Sequence, residues 1–200
     1  MKKNIIKAVF LVAITSLFVA LYSCNKGYNP VPFGSNLIYM PQATVAGGLN
    51  NNYTIPSGVD TSTFNFKSDT INHKLYVHLG VIASGKLANS GYTVNVMVKN
   101  DTTNQIVTAN PTLNYMLMPS TMFTLPTSVT VPAGKSAGTF DLTIDAAALK
   151  TYVNTTLTVG KKLLLTVGVA NPTNYLINNQ YNKTVVIIDV NALSKVSIFK

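Results

Sequence analysis

Between residues 92 and 99, Tyr92, Val94, Val96 and Val98 alternate with Thr93, Asn95, Met97 and Lys99. This period of two turns one face of an extended strand into a core and the other toward solvent. Phe140, Leu142 and Ile144 alternate with Thr139, Asp141 and Thr143 in the same way. Residues 163–169 and 185–190 are nearly continuous apolar runs rich in β-branched side chains and read as central strands. Val129 and Val131 lead into Pro132-Ala133-Gly134 and then a second alternating run, so residues 128–144 are expected to form a hairpin with a longer loop. Further strands are expected at 37–40, 63–66, 75–82, 122–125 and 196–199. Residues 101–109 and 145–152 each suit a helical turn or two, the second with Asp145 as N-cap before Ala146. About nine strands joined by polar turns, with no long helix, predict an all-β fold: an antiparallel, immunoglobulin-like β-sandwich with one or two short helical turns.

The first 24 residues break this pattern. Lys2, Lys3 and Lys7 precede an uncharged apolar run over residues 8–22, followed by Ser23 and Cys24, which is the organisation of a signal peptide. The run is about 15 residues, short of the roughly 20 that a membrane-spanning helix needs. Leu21-Tyr22-Ser23-Cys24 resembles the bacterial lipobox, whose cysteine is acylated and becomes the first residue after cleavage, although Tyr22 stands where a small residue is usual. Each buried methylene contributes about 0.8 kcal/mol, so one acyl chain binds marginally while two or three on one cysteine hold firmly. Cys24 is the only cysteine, so no disulfide competes for it. Residues 25–35 contain two Pro and two Gly and suit a tether reaching at most roughly 36 Å. The expected organisation is a signal peptide at 1–23, a lipidated Cys and tether at 24–35, and a single domain at 36–200.

Composition narrows the chemistry. The 200 residues include 15 Lys and 6 Asp, with neither Arg nor Glu, for a net charge of +9. Removal of Lys2, Lys3 and Lys7 leaves 12 Lys against 6 Asp. The lysines are scattered, with Lys161-Lys162 the only adjacent pair in the mature part, which excludes the basic stripe that follows a nucleic-acid backbone. General acid–base work falls to six Asp, His73 and His78. Asp141 and Asp145, the closest carboxyls in sequence, are separated by roughly 13 Å along a strand, too far for a glycosidase pair. His73 and His78 differ by an odd number and would point to opposite faces of one strand. No nucleophile elbow, phosphate loop or calcium loop is present. The expectation is a non-enzyme with no metal and no cofactor.

Several segments resemble a lipoprotein domain of unknown function common in Bacteroidetes. These are Leu37-Ile38-Tyr39-Met40-Pro41-Gln42-Ala43, residues 92–101, Tyr115-Met116-Leu117-Met118-Pro119, and most specifically Val129-Thr130-Val131-Pro132-Ala133-Gly134-Lys135 with its continuation to Asp145. The resemblance implies a β-sandwich that often precedes a glycosidase-like or lectin-like domain in glycan-capturing surface lipoproteins. Asn25, Lys26 and Gly27 lack the acidic cluster that resembles a surface-export signal, leaving the cell surface and the periplasmic face of the outer membrane both open.

For binding chemistry, residues 171–182 concentrate two Tyr and five Asn. Amides offer paired donors and acceptors to sugar hydroxyls, and Tyr rings offer flat faces. Tyr175, Asn178, Asn179 and Tyr181 are the expected glycan contacts, and residues 47–58 form a second polar loop of similar character. Asp69-Thr70-Ile71 and Asp101-Thr102-Thr103 resemble the short O-glycosylation pattern of exported Bacteroidetes proteins, with Thr70 and Thr102 as acceptors. These features describe a lipid-anchored accessory or glycan-binding module of a polysaccharide-utilisation system. Its partners would be the membrane, a glycan, and an outer-membrane transporter or lipoprotein. The alternative is a structural or assembly subunit of an outer-membrane complex or fimbria with no glycan binding.

Overall fold

The computed structural model describes residues 36–44, 50–56, 65–85, 90–155 and 160–193. Cys24, the expected signal peptide and tether, and the strand expected at 196–199 lie outside the described residues. Two six-stranded sheets face each other. In the first, β4 (Lys74–Ala83) and β9 (Ala137–Asp145) pair antiparallel from Lys74↔Asp145 to Ile82↔Ala137. β1 (Leu37–Tyr39) and β3 (Phe66–Asp69) share the other edge of β4, β11 (Leu176–Ile177) lies outside β1, and β7 (Phe123–Thr124) lies outside β9. The second sheet is built on β10 (Lys162–Ala170) and β12 (Lys183–Asp189). There β2 (Asn50–Ile55) flanks β12, while β5 (Tyr92–Val98) and β6 (Tyr115–Leu117) share the far edge of β10, and β8 (Ser128–Val131) lies outside β5.

The alternation seen in the sequence accounts for the core between the sheets. Leu75, Val77, Leu79 and Val81 of β4, with Phe140, Leu142 and Ile144 of β9, meet Tyr92, Val94 and Val96 of β5 and Leu163, Leu165 and Val167 of β10. The continuous apolar runs are central strands, as expected, and the structure adds the reason. Helix α1 (Asn100–Ala109) covers the outer face of the second sheet, where Leu164, Val185 and Ile187 are buried against Ile106, Val107 and Tyr115. A strand covered on both faces has no polar side to alternate with.

The all-β sandwich is therefore present, with three differences from expectation. Three edge pairings, β1–β11, β6–β10 and β2–β12, are parallel, so the sheets are mixed. The hairpin expected at 128–144 is not a hairpin: β8 pairs with β5 in one sheet and β9 with β4 in the other. A turn closed by Lys135 N–H donating to Pro132 O (3.1 Å), with Gly134 at φ +75°, carries the chain between sheets. Here β8 and β9 meet face to face, since a Cβ on Gly138 would stand 2.7 Å from Val131 Cγ2. Residues 47–58 are not simply a loop, because they contain β2, with Ile55 in the core.

The helical segments are longer than a turn or two. α1 has ten residues, as does α2 (Ala146–Thr155), and α3 (Val190–Leu193) has four. Asp145 caps α2 as expected, its Oδ1 accepting from Ala148 N–H at 2.8 Å while Oδ2 pairs with Lys74 Nζ at 2.8 Å. No helix among the described residues is long and apolar enough to cross a membrane.

Candidate functional site

The outer face of the second sheet extends beyond the end of α1. Leu164, Thr166 and Gly168 share this face on β10 by period two, and Val185 and Lys183 share it on β12. α1 covers the apolar part. Past its N-terminal end lies an open cavity of about 640 Å³, lined by residues 98–102, Asn179, Asn182 and Lys183.

Three local features build this cavity. The first is the docking of α1 on β10. Between the β5 and β6 pairings, Thr166 has no strand beside it. Its C=O instead accepts from Lys99 N–H (2.9 Å), and its N–H donates to Thr103 Oγ1 (2.9 Å). Thr103 Oγ1 also lies 2.9 Å from Thr166 Oγ1, with both residues fully buried, so a side-chain hydroxyl stands in for a strand. The second feature is Gly168, which pairs with Lys183 across the ladder. A Cβ there would stand 3.3 Å from Asn182 O and from Lys99 Cγ and Cε, so the missing side chain lets the Lys99 stem lie across the sheet. The third is the turn at 178–181. Asn178 N–H donates to Ile38 O (2.8 Å), Asn178 Oδ1 accepts from Gln180 N–H (3.0 Å), and Asn178 O accepts from Tyr181 N–H (3.1 Å). Asn178 thus directs its two oxygens into the turn and its N–H toward β1, and Asn179 is left exposed on the cavity wall.

The side chains of Lys99, Asn100, Asp101, Asn179, Asn182 and Lys183 make no hydrogen bond or ion pair with another described residue. Donors and acceptors are thus gathered in one concave place without partners among the described residues, an arrangement suited to a polyhydroxylated ligand.

Of the glycan contacts expected from sequence, Asn179 lines this cavity. Tyr175 lies elsewhere in the same loop: its ring meets Tyr92 edge-on at 5.8 Å, and its OH donates to Ser90 O (3.0 Å). Burial pushes the Tyr92 hydroxyl up to about 12, so it remains a neutral donor to Ser136 O. Tyr181 packs half-buried against the core. Thr70 is exposed at the tip of the β3–β4 turn, which Asp69 organises by accepting from Ile71 N–H and from the Asn72 backbone and side-chain amides. Those Asn72 hydrogen bonds, the side-chain one foremost, hold the Asp69 carboxyl below the usual range. Thr102 is half-buried in the first turn of α1 and lines the cavity.

The two carboxyls nearest in sequence are both engaged. Asp145 caps α2, and Asp141 Oδ1 lies 2.8 Å from His78 Nδ1 on the exposed face of β4 and β9. His73 sits in the turn before β4 at φ +51° rather than on a strand with His78. No three His, Cys, Asp or Glu side chains cluster for a metal among the described residues. Sequence reasoning missed Lys99, Asn100, Asp101, Asn182 and Lys183 as neighbours of Asn179. The one available signal was a glycine inside the apolar run of β10, which marks close approach by another group.

A family model described as an N-terminal domain matches residues 35–176. Among solved structures, a proposed carbohydrate binding protein from Bacteroides ovatus is similar at TM-score 0.50 and 13% identity, over 76% of this chain and 36% of that one. A protein of unknown function from Bacteroides ovatus is similar at TM-score 0.49 and 20% identity, over 80% and 46%. An auxiliary nutrient binding protein from Bacteroides thetaiotaomicron is similar at TM-score 0.44 and 22% identity, over 57% and 36%. The chain thus spans less than half the length of each of these structures. No curated protein matches it.

Proposed function

The chain belongs to the N-terminal domain family whose model matches residues 35–176, a Bacteroidetes domain of unknown function, and from that premise we propose that it is a non-catalytic, lipid-anchored accessory module that binds glycan at the cavity beside α1. The observation that carries this reading is the gathering, in one cavity, of amide and ammonium side chains that have no partner among the described residues. The sandwich is shared with a Bacteroides ovatus protein proposed to bind carbohydrate, which supports the same reading. Cys24 is the acylated anchor, and the module sits on the outer membrane, at the cell surface or its periplasmic face. Thr70 is the better-presented O-glycan acceptor, because Thr102 lies within the cavity, where a modification would compete with ligand.

Two measurements test the proposal. Cys24→Ser should move the protein from the membrane fraction to the soluble fraction, with loss of the lipid mass from its first peptide. A glycan array followed by calorimetry on the chain should give affinities of roughly micromolar to millimolar. Asn179→Ala with Asn182→Ala should weaken that binding without lowering the melting temperature. A wild-type protein that binds no glycan would instead favour an assembly subunit of an outer-membrane complex or fimbria.

A further inference from the structure

We infer that this cavity selects anionic saccharides, those bearing a uronate carboxylate or a sulfate ester, through Lys99 and Lys183. The inference rests on the glycan-binding reading above and adds the charge class of the ligand. Both lysines are tied to Gly168. Lys183 is its partner across the β10–β12 ladder, and the Lys99 stem lies over it so closely that a Cβ there would stand 3.3 Å from Lys99 Cγ and Cε. Two ammonium groups therefore arise on one small area of the sheet's outer face and line one cavity.

Two lysines bond a carboxylate among the described residues, and one histidine lies beside another carboxylate, while Lys67, Lys135, Lys150 and Lys161 stand singly outside this cavity. Lys74 bonds Asp145 at 2.8 Å, Lys162 bonds Asp189 at 3.2 Å, and His78 lies 2.8 Å from Asp141. Lys99 and Lys183 have no such partner among the described residues, even though Asp101 lines the same cavity. Two like charges lining one cavity favour an anion that enters it. With no Arg in the chain, recognition rests on point charges from Lys rather than a planar fork, so carboxylate and sulfate are both accommodated. Asn179 and Asn182 then serve the sugar hydroxyls, and the Asp101 carboxylate accepts a hydroxyl hydrogen while opposing the anion.

Calorimetry on the chain tests this with a galacturonan trisaccharide, its methyl ester as the neutral counterpart, a chondroitin sulfate tetrasaccharide, and inorganic sulfate at matched ionic strength. One or both acidic saccharides should bind at least about tenfold tighter than the ester. Lys99→Gln and Lys183→Gln should each cost about three- to fivefold, and the double variant about tenfold or more. Asp101→Asn should strengthen binding a few-fold, an effect that a merely structural role would not produce. Raising the salt should weaken binding to the acidic probes and leave the ester unchanged. Lys135→Gln, outside the cavity, should have no effect. Equal affinity for ester and acid, with binding still lost in the Asn179 and Asn182 variants, would overturn the charge inference and leave glycan binding standing. Inorganic sulfate binding as tightly as the saccharides would overturn it as an adventitious ion only. Absence of binding to every saccharide, neutral or acidic, would overturn both readings.

Discussion

Replacing Thr103 with Val removes one oxygen from the interior at nearly constant volume. In the native protein Thr103 Oγ1 accepts the Thr166 N–H at 2.9 Å on the edge of β10 that lies between the β5 and β6 pairings, opposite β12. Both residues are fully buried, so water cannot replace the lost acceptor without opening the contact between α1 and the sheet. An orphaned buried backbone donor costs about 1–3 kcal/mol, and Thr166 Oγ1 loses its neighbour at 2.9 Å as well. Thr103→Ser keeps the oxygen and deletes a methyl, worth about 1 kcal/mol. For a domain of this size each kcal/mol moves the melting temperature by about 2–4 °C, so Val, taken at about 2 kcal/mol within that range, should lower it by about 4–8 °C and Ser by about 2–4 °C. Chemical denaturation with a common m-value gives the free energies, and amide exchange at Thr166 reports the orphaned N–H directly. Because Thr103 also anchors the turn that starts at Lys99, the Val variant should weaken ligand binding at the cavity too. A Val variant as stable as wild type, or more stable than the Ser variant, would refute the idea that this hydroxyl substitutes for a strand.

Val94 is fully buried while Thr93 faces outward and bonds Thr130 Oγ1 at 2.9 Å, so Val94→Asp should cost about 3 kcal/mol or more and Thr93→Asp about 1 kcal/mol or less, as read from paired thermal melts. Asp145→Ala removes the α2 cap and should cost about 1 kcal/mol at neutral pH. The Ala148 N–H, and then Lys74, hold the Asp145 carboxyl below its usual value. Its contribution is therefore full above the ordinary carboxylate range, about 3.9, and fades as pH falls through the lowered value; the gap between wild type and variant in acid titrations should close there and nowhere higher. Gly168→Ala should shift Lys99 and Asn182 by a few tenths of an ångström and weaken glycan binding more than it lowers stability; a full loss of fold on that substitution, seen by circular dichroism, would mean the glycine serves packing and not the cavity.

What was legible in the sequence concerns single strands and their immediate ends. Alternation at 92–98 and 139–144 identifies the inward residues because side chains in a strand leave on opposite sides whatever lies beside it. Nearly continuous apolar runs at 163–169 and 185–190 mark strands covered on both faces, and Asp145 before Ala146 is a cap because three residues of local geometry suffice to make one. The choice of neighbour depends on the tertiary structure. Val129 and Val131 followed by a turn and a second alternating strand read alike whether the two strands pair edge to edge or face each other across a core, and only packing on β5 and β4 separates those outcomes. The parallel edge strand β2 was concealed because its pairing with β12 spans more than 130 residues and carries no turn signal. The cavity was hidden for the same reason. Lys99, Gly168, Asn179 and Lys183 become neighbours through ladder register and the docking of α1 on Thr166, and those are long-range contacts that no local period encodes.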